Sequence, residues 1–386
     1  MLEAAFRGSK RYWILLGVWS TLIVIGAVAF SRQLTEGLTV TGMSQDVSWG
    51  IYIAQFTFLV GVAASAVMVV LPYYLHDYKV FGKLVILGEG LAISAVLMCP
   101  LFILVDLGQP QRFTNVLLHP TMNSMMFWDS LALMGYLVLN LVIGATTFDA
   151  ERKGGPPPRW VKPLILLSIP VAVSIHTVTA FLYSGLEARP FWMTAILAPR
   201  FLASAFASGP SLLILLSLFL RRMKKFDVGR EAIQKLALIV AYAMVINIFF
   251  TGVEFFTALY SDMPHHVHAF EYMFKGLEGQ NVLVPWMWTG MSIALICAVL
   301  LIIPKFRANE RFLAILCVGV ITSIWIEKGL GIVVTGFVPS PLGKVVAYTP
   351  TAPELAITAG VYGIGLLVLT MLYKIVVTVR ERQQVT

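Results

Sequence analysis

GIYIAQFTFLVGVAASAVMVVLP, residues 50–72, runs without one charged side chain. At about 1.5 Å per residue, a helix of this length crosses the roughly 30 Å apolar layer of a bilayer. Comparable runs recur at about 12–30, 84–105, 125–148, 163–183, 201–220, 236–260, 285–304, 312–336 and 355–378. Of the 386 residues, 58% are apolar and 12% charged. A soluble domain usually carries about 25% charged residues. The expected fold is all-α, a polytopic membrane protein of ten transmembrane helices. The first run is long and no clean small-residue cleavage site follows it, so it reads as a span rather than a signal peptide.

The net charge of +8 does not imply a nucleic-acid partner, because the basic residues are sorted by loop. With the N-terminus inside, most of the 28 Lys and Arg fall on the cytoplasmic side. They include Arg7, Lys10 and Arg11, Lys79 and Lys83, Lys224 and Lys225, and Arg380 and Arg382. The positive-inside rule then gives an N-in, C-in topology in a cytoplasmic (inner) membrane without any polyanionic partner, the lipid bilayer being the surrounding medium. RRMKKFDVGREAIQK reads as an anchor at anionic headgroups, and KGGPPPRW (153–160) as a stiff inner linker. Aromatics at span ends, among them Trp13, Trp49, Trp128, Trp160, Trp192, Trp286 and Trp288, suit the membrane interface.

Cys99, Cys297 and Cys317 lie inside spans and offer no iron–sulfur or zinc spacing, so no metal site is expected. Haem is disfavoured too, since only His176 lies deep in a span and a b-type centre needs two facing histidines. The HHVH cluster at 265–268 reads as a solvated loop.

Ionisable groups at membrane depth are costly and default to functional candidates. DLGQPQRFTNVLLHPTMNSMMFWD, residues 106–129, places Asp106, Arg112, His119 and Asp129 at the outer edge of the slab. Asp129 lies about 6 Å below that edge and His176 about 12 Å. His176, Thr179 and Tyr183 share one face of span 5, while Trp49, Tyr52 and Gln55 open span 2 at a similar level. A single outer pocket follows, walled by Tyr52, Gln55, Asp129 and His176 and roofed by Asp106, Arg112 and His119. Glu89 lies near the cytoplasmic face. A second set, Asn247 and Glu254 on span 7 with Glu327 and Lys328 on span 9, reads either as structural charge pairing or as a proton path. Plainer readings stand beside these: a carbonyl-bonded buried His176, a helix-start Asp129, and an Asp106–Arg112 pair that ties the loop.

Quinone chemistry suits such a pocket, because it needs donors at two carbonyl oxygens and groups that exchange two protons. Span 2, the DLGQPQRF…LLHP…MMFWD element and SIHTVTAFLYSG together resemble the NrfD/PsrC family of quinone-interacting membrane subunits, and within it the DsrP branch of dissimilatory sulfur metabolism. The resemblance covers nearly the whole chain as a single domain. It implies two four-helix bundles, residues 50–183 with the quinone site and residues 201–336, with spans 1 and 10 outside them. It also implies menaquinone or menaquinol near the outer face, and no haem or iron–sulfur cluster held by the chain itself. The implied partners are an outer iron–sulfur ferredoxin-like subunit (DsrO-like), a multihaem cytochrome c (DsrJ-like), and a haem b membrane subunit with its cytoplasmic iron–sulfur subunit (DsrM/DsrK-like). Asp129, His176 and Glu89 are then the expected proton-handling residues. Trp49, Tyr52, Gln55, Asp106, Arg112, His119, Thr179 and Tyr183 are the expected quinone contacts. One departure is that some relatives carry a histidine where span 2 reads GVAASA, with Ala63 and Ala64. Two other functions remain open, a proton or ion-conducting transporter and a structural anchor. Pro100 and Pro170 interrupt spans without a matching counterpart, which gives the transporter reading little support.

Overall fold

Ten apolar runs become ten helices long enough to cross a membrane in the computed structural model, which describes residues 5–383 except 7, 154, 156, 224 and 225. They are α1 (Lys10–Val40), α2 (Ile51–Leu75), α3 (Lys79–Asp106), α4 (Met125–Ala150), α5 (Val161–Ser184), α6 (Leu197–Arg222), α7 (Arg230–Tyr260), α8 (Val284–Ile302), α9 (Glu310–Thr335) and α10 (Ala352–Thr378). Among the described residues there is no strand, only an isolated bridge between Leu277 and Gln280. Arg7, Lys224 and Lys225 of the charge pattern, and Gly154 and Pro156 of the linker, lie outside the described residues.

Helices α2, α3, α4 and α5 pack in a ring, each against the next, and α6 to α9 close a second ring. The two rings meet through α2, which also packs on α6 and α9, and through α5 on α6. Burial follows this placement: 94% of the apolar window of α2 is buried against 6% for α1. Helix α1 pairs with α10, and α10 lies against α3. Apolar burial drives little association inside lipid, so close packing must do it. A Cβ on Gly26 of α1 would come within 2.6 Å of the Gly360 Cα on α10, so only glycine permits that crossing.

Two helices are irregular. Helix α2 breaks at Ser65 and Ala66, where Ser65 Oγ donates to the Val62 carbonyl and Gly209 of α6 leaves room for the serine. Side-chain bonding to a preceding carbonyl is a known cause of such bends. Tyr136 of α4 donates to the Ala63 carbonyl (3.2 Å) beside the break. Helix α9 widens to a π-helix over Trp325–Gly331.

The end at which the odd-numbered helices finish, termed the roof end, carries the 107–124 connection. A buried clasp holds it together. Tyr348 donates to Glu354 (2.7 Å) and accepts from the Ile51 amide (2.8 Å), while the Gly42 and Thr351 amides donate to the other Glu354 oxygen. Burial, with the Glu354 carboxylate next to it, raises the Tyr348 phenol and keeps it a donor. The clasp fixes the start of α2 and therefore the position of Trp49.

Candidate functional site

Beneath the 107–124 connection lies a cavity of about 500 Å³, enclosed by the starts of α2 and α4 and the ends of α3 and α5. Its lid is a short turn at Pro110–Arg112 followed by a four-residue helix, Asn115–Leu118. Trp49, Asp106, Arg112, His119, Asp129 and Tyr183 line it. Asp106 Oδ1 is buried without a protein partner, so the reading of Asp106 and Arg112 as a loop-tying pair does not describe that oxygen. Such an arrangement favours a polar ligand atom.

Asp129, 2% exposed, sits 2.6 Å from Thr179 Oγ1, which is also 2.6 Å from the Ile175 carbonyl. A hydroxyl carries one proton. With Asp129 protonated, the acid donates to Thr179, which donates to Ile175. With Asp129 ionised, the hydroxyl turns to the carboxylate. The geometry accommodates both states. Tyr183 lies 2.5 Å from Thr57 Oγ1 of α2, which steadies the opposite wall.

The remaining expected residues do not share this cavity. His176 is 0% exposed and neither ring nitrogen has a protein partner; it lies one turn from Thr179 but not on the cavity wall. Tyr52 donates to Gln33 Oε1 of α1 (2.8 Å), whose amide donates to the Val105 carbonyl (2.6 Å). Gln55 turns the other way, and its oxygen accepts from Trp325 (2.9 Å) and Tyr362 (2.6 Å). It borders a second cavity of about 580 Å³ between α2, α3, α6, α9 and α10. Trp49 and Ile53 face the roof cavity, whereas Ile51, Gln55 and Phe58 face the second one. The expected single pocket is divided because shared depth does not mean shared face on a central helix.

Glu89 of α3 borders a small void of about 10 Å³ with Tyr136 and Asn140 of α4 and Ser168 of α5, beside the break in α2. Such a volume holds about one water. Tyr136 and Asn140 lie on the same face of α4 as Asp129, two and three turns further along.

The second charged set is organised by Arg200, a residue that the sequence pattern places just outside span 6. It pairs with Glu254 and, at 2.7 Å, with Glu327. Asn247 (2.9 Å) and Thr251 (2.7 Å) also donate to Glu327. Helix α6 begins at Leu197 rather than 201, which brings the arginine inside. The π-helix sends neighbouring residues to opposite sides. Glu327 enters the α6–α9 ring, and Lys328, 2% exposed, donates to the Phe201 carbonyl (3.3 Å) near Gly61 of α2. Arg200, not Lys328, is therefore the cation that neutralises these acids.

Trp49 and Trp192 are not headgroup anchors. They stack at 5.4 Å between the two rings, with Tyr183 and Phe337 edge-on, and Trp192 donates to the Ile332 carbonyl. Trp192 is 0% exposed, whereas Trp13, Trp128, Trp160, Trp286 and Trp288 are exposed as interfacial rings should be. The HHVH segment is not a loop but part of a short helix, Pro264–Phe274. Among the described residues no group of three or more His, Cys, Asp or Glu is placed to hold a metal.

The family described as polysulphide reductase, NrfD, matches residues 39–338. The chain is 27% identical to a putative dimethyl sulfoxide reductase membrane subunit of Halobacterium salinarum, over 95% of this chain and 91% of that one. It is 22% identical to a selenate reductase subunit of Mesobacillus selenatarsenatis, over 97% and 96%. An Hdr-like menaquinol oxidoreductase integral membrane subunit of Archaeoglobus fulgidus is 25% identical over 64% of this chain and 60% of its own. With a match over most of its length and ten helices to carry it, the chain belongs to the NrfD family of membrane proteins.

Proposed function

We propose that this chain is the quinone-reactive membrane subunit of an oxidoreductase complex, with the roof cavity as its site. The observation that carries the reading is Asp129: a buried carboxyl on the wall of a 500 Å³ cavity, bonded to a hydroxyl that serves either protonation state. The unpartnered Asp106 oxygen supplies a second polar contact. A bound quinone supplies two-electron, two-proton redox chemistry. Asp129 holds and releases a proton at its carboxyl, Thr179 orients it, and Trp49 with Tyr183 walls the ring site against the second helix ring. Arg112 and His119, exposed at the mouth, face a docking partner.

In this reading the roof end is the outer face of the cytoplasmic membrane, and N- and C-termini are inside, as the basic loops require. The ligand is menaquinone or menaquinol; the name of the Archaeoglobus relative supports that choice. The partners are an outer iron–sulfur subunit over the 107–124 connection, together with the cytochrome c, haem b and cytoplasmic iron–sulfur subunits of a Dsr-type complex. The sequence likeness to DsrP supports a role in dissimilatory sulfur metabolism, while the relatives named for dimethyl sulfoxide and selenate reductases mark the competing substrates.

A second reading, proton conduction coupled to or independent of quinone, is favoured by the buried Arg200–Glu254–Glu327 cluster and by the Glu89 void at the break in α2. The two readings separate in the assembled complex. Asp129→Asn and Thr179→Val, which removes the hydroxyl that orients the acid, lower quinol-dependent reduction of partner clusters, with assembly intact, if the first holds. Unchanged rates in both variants would defeat it.

A further inference from the structure

The second cavity is built as a binding site in its own right. Gln55 is buried, and its oxygen accepts from the Trp325 indole, which can only donate, and from the Tyr362 phenol. The indole fixes which way the amide points. No hydrogen bond from its amide nitrogen is found among the described residues, and Gln55 lines the cavity. Thr358, one turn before Tyr362 on α10, adds a buried hydroxyl without a protein partner. A buried hydroxyl without a partner, beside an amide nitrogen that donates to no protein group, is costly in apolar surroundings unless a ligand meets it. Apart from the Ser94 and Thr322 hydroxyls, the rest of the wall is apolar, with Phe58, Val62, Leu91, Met98, Leu366 and Leu369 along its length. Among the described residues no Asp, Glu, Lys, Arg or His lines it.

We propose that this cavity binds a second molecule of prenylated quinone in its oxidised, dicarbonyl form, with the ring at Gln55 and Thr358 and the prenyl chain along α3 and α10. The donor set fits a neutral carbonyl head. A phospholipid is disfavoured because no cation among the described residues faces the cavity to meet a phosphate. At about 580 Å³ the space exceeds a bare ring and accommodates part of a chain. With no ionisable carboxyl or imidazole on its wall, the site holds the oxidised molecule without exchanging protons with it, as a reservoir beside α2 rather than a turnover site. The roof cavity is not required for this assignment.

Photolabelling of the intact complex in nanodiscs, with an azido-quinone as probe and peptide mapping by mass spectrometry, tests it. The proposal expects label on α10 between Leu355 and Leu369, separate from any label on residues 106–129. Gln55→Leu and Thr358→Val each weaken the α10 labelling roughly threefold to tenfold, as loss of one hydrogen bond does. Ala95→Phe, which puts a bulky ring into the cavity from its α3 wall and leaves both donor residues in place, abolishes it. Excess unlabelled quinone competes for the α10 label, whereas added phosphatidylglycerol does not. Absence of α10 label in the wild type, labelling insensitive to all three variants, or competition by the phospholipid would overturn the proposal. Absence of label on 106–129 would count against the roof cavity alone.

Discussion

The two cavities flank the same helix and differ in one respect that matters chemically. The roof cavity brings Asp106, Arg112, His119 and Asp129 together within about 500 Å³. The cavity on the other side of α2 is of similar size, and its polar lining is amide, hydroxyl and indole groups. In the proposed reading, quinone turnover needs electrons from a partner and protons from side chains, and it is the first cavity that carries carboxyls and an imidazole for the protons. The second cavity offers no carboxyl or imidazole, and its one phenol, Tyr362, is already bonded to Gln55, so its lining suits holding a carbonyl. The difference teaches that in a bilayer, where apolar walls are abundant, a few ionisable groups decide whether a cavity reacts or stores.

The largest expected effect tests the reactive side. Asp129→Asn keeps shape and hydrogen bonding but removes the exchangeable proton, and quinol-dependent reduction of partner clusters falls roughly a hundredfold or more, the usual worth of a positioned acid–base group. Retained turnover in that variant would erase the distinction between the cavities. Next comes the charged interior of the α6–α9 ring. Arg200→Met strands Glu254 and Glu327 without their cation, a loss of about 3–5 kcal/mol in unfolding experiments in detergent. The smallest effect concerns the aromatic wall between the rings. Trp192→Phe leaves the Ile332 carbonyl without its indole donor and costs about 1 kcal/mol. Trp288→Phe also removes an indole bond, to the Phe274 carbonyl, but at an exposed position where solvent or headgroups replace it, and shifts stability less.

Much of this arrangement is legible in the sequence. Ten apolar runs give ten helices because length and apolarity alone specify a span. The cluster of Asp106, Arg112, His119 and Asp129 around one cavity follows from chain proximity, since all four lie on one connection and its flanking turns. What depth cannot supply is azimuth. Tyr52 and Gln55 sit at the right level but point to α1 and to α9 and α10, because α2 is packed on all sides and each face meets a different neighbour. Arg200 is hidden for another reason. A charged residue at a run's edge looks like a loop residue until the helix is seen to start earlier, and its two acids lie 54 and 127 residues away. The break in α2 has neither glycine nor proline at Ser65 and Ala66 and so leaves no local signal of that kind, whereas the π-helix in α9 includes Gly329 and Gly331, a signal that the apolar run concealed.

The central claim is that quinone reacts in the roof cavity at Asp129. Its most direct test is a density map of the assembled complex with a headgroup-directed quinol analogue bound. The account predicts ring density under the 107–124 connection, with a ring oxygen within hydrogen-bonding distance of the Asp129 carboxyl. An analogue that inhibits quinol-dependent electron transfer yet leaves no ring density in that cavity would contradict it.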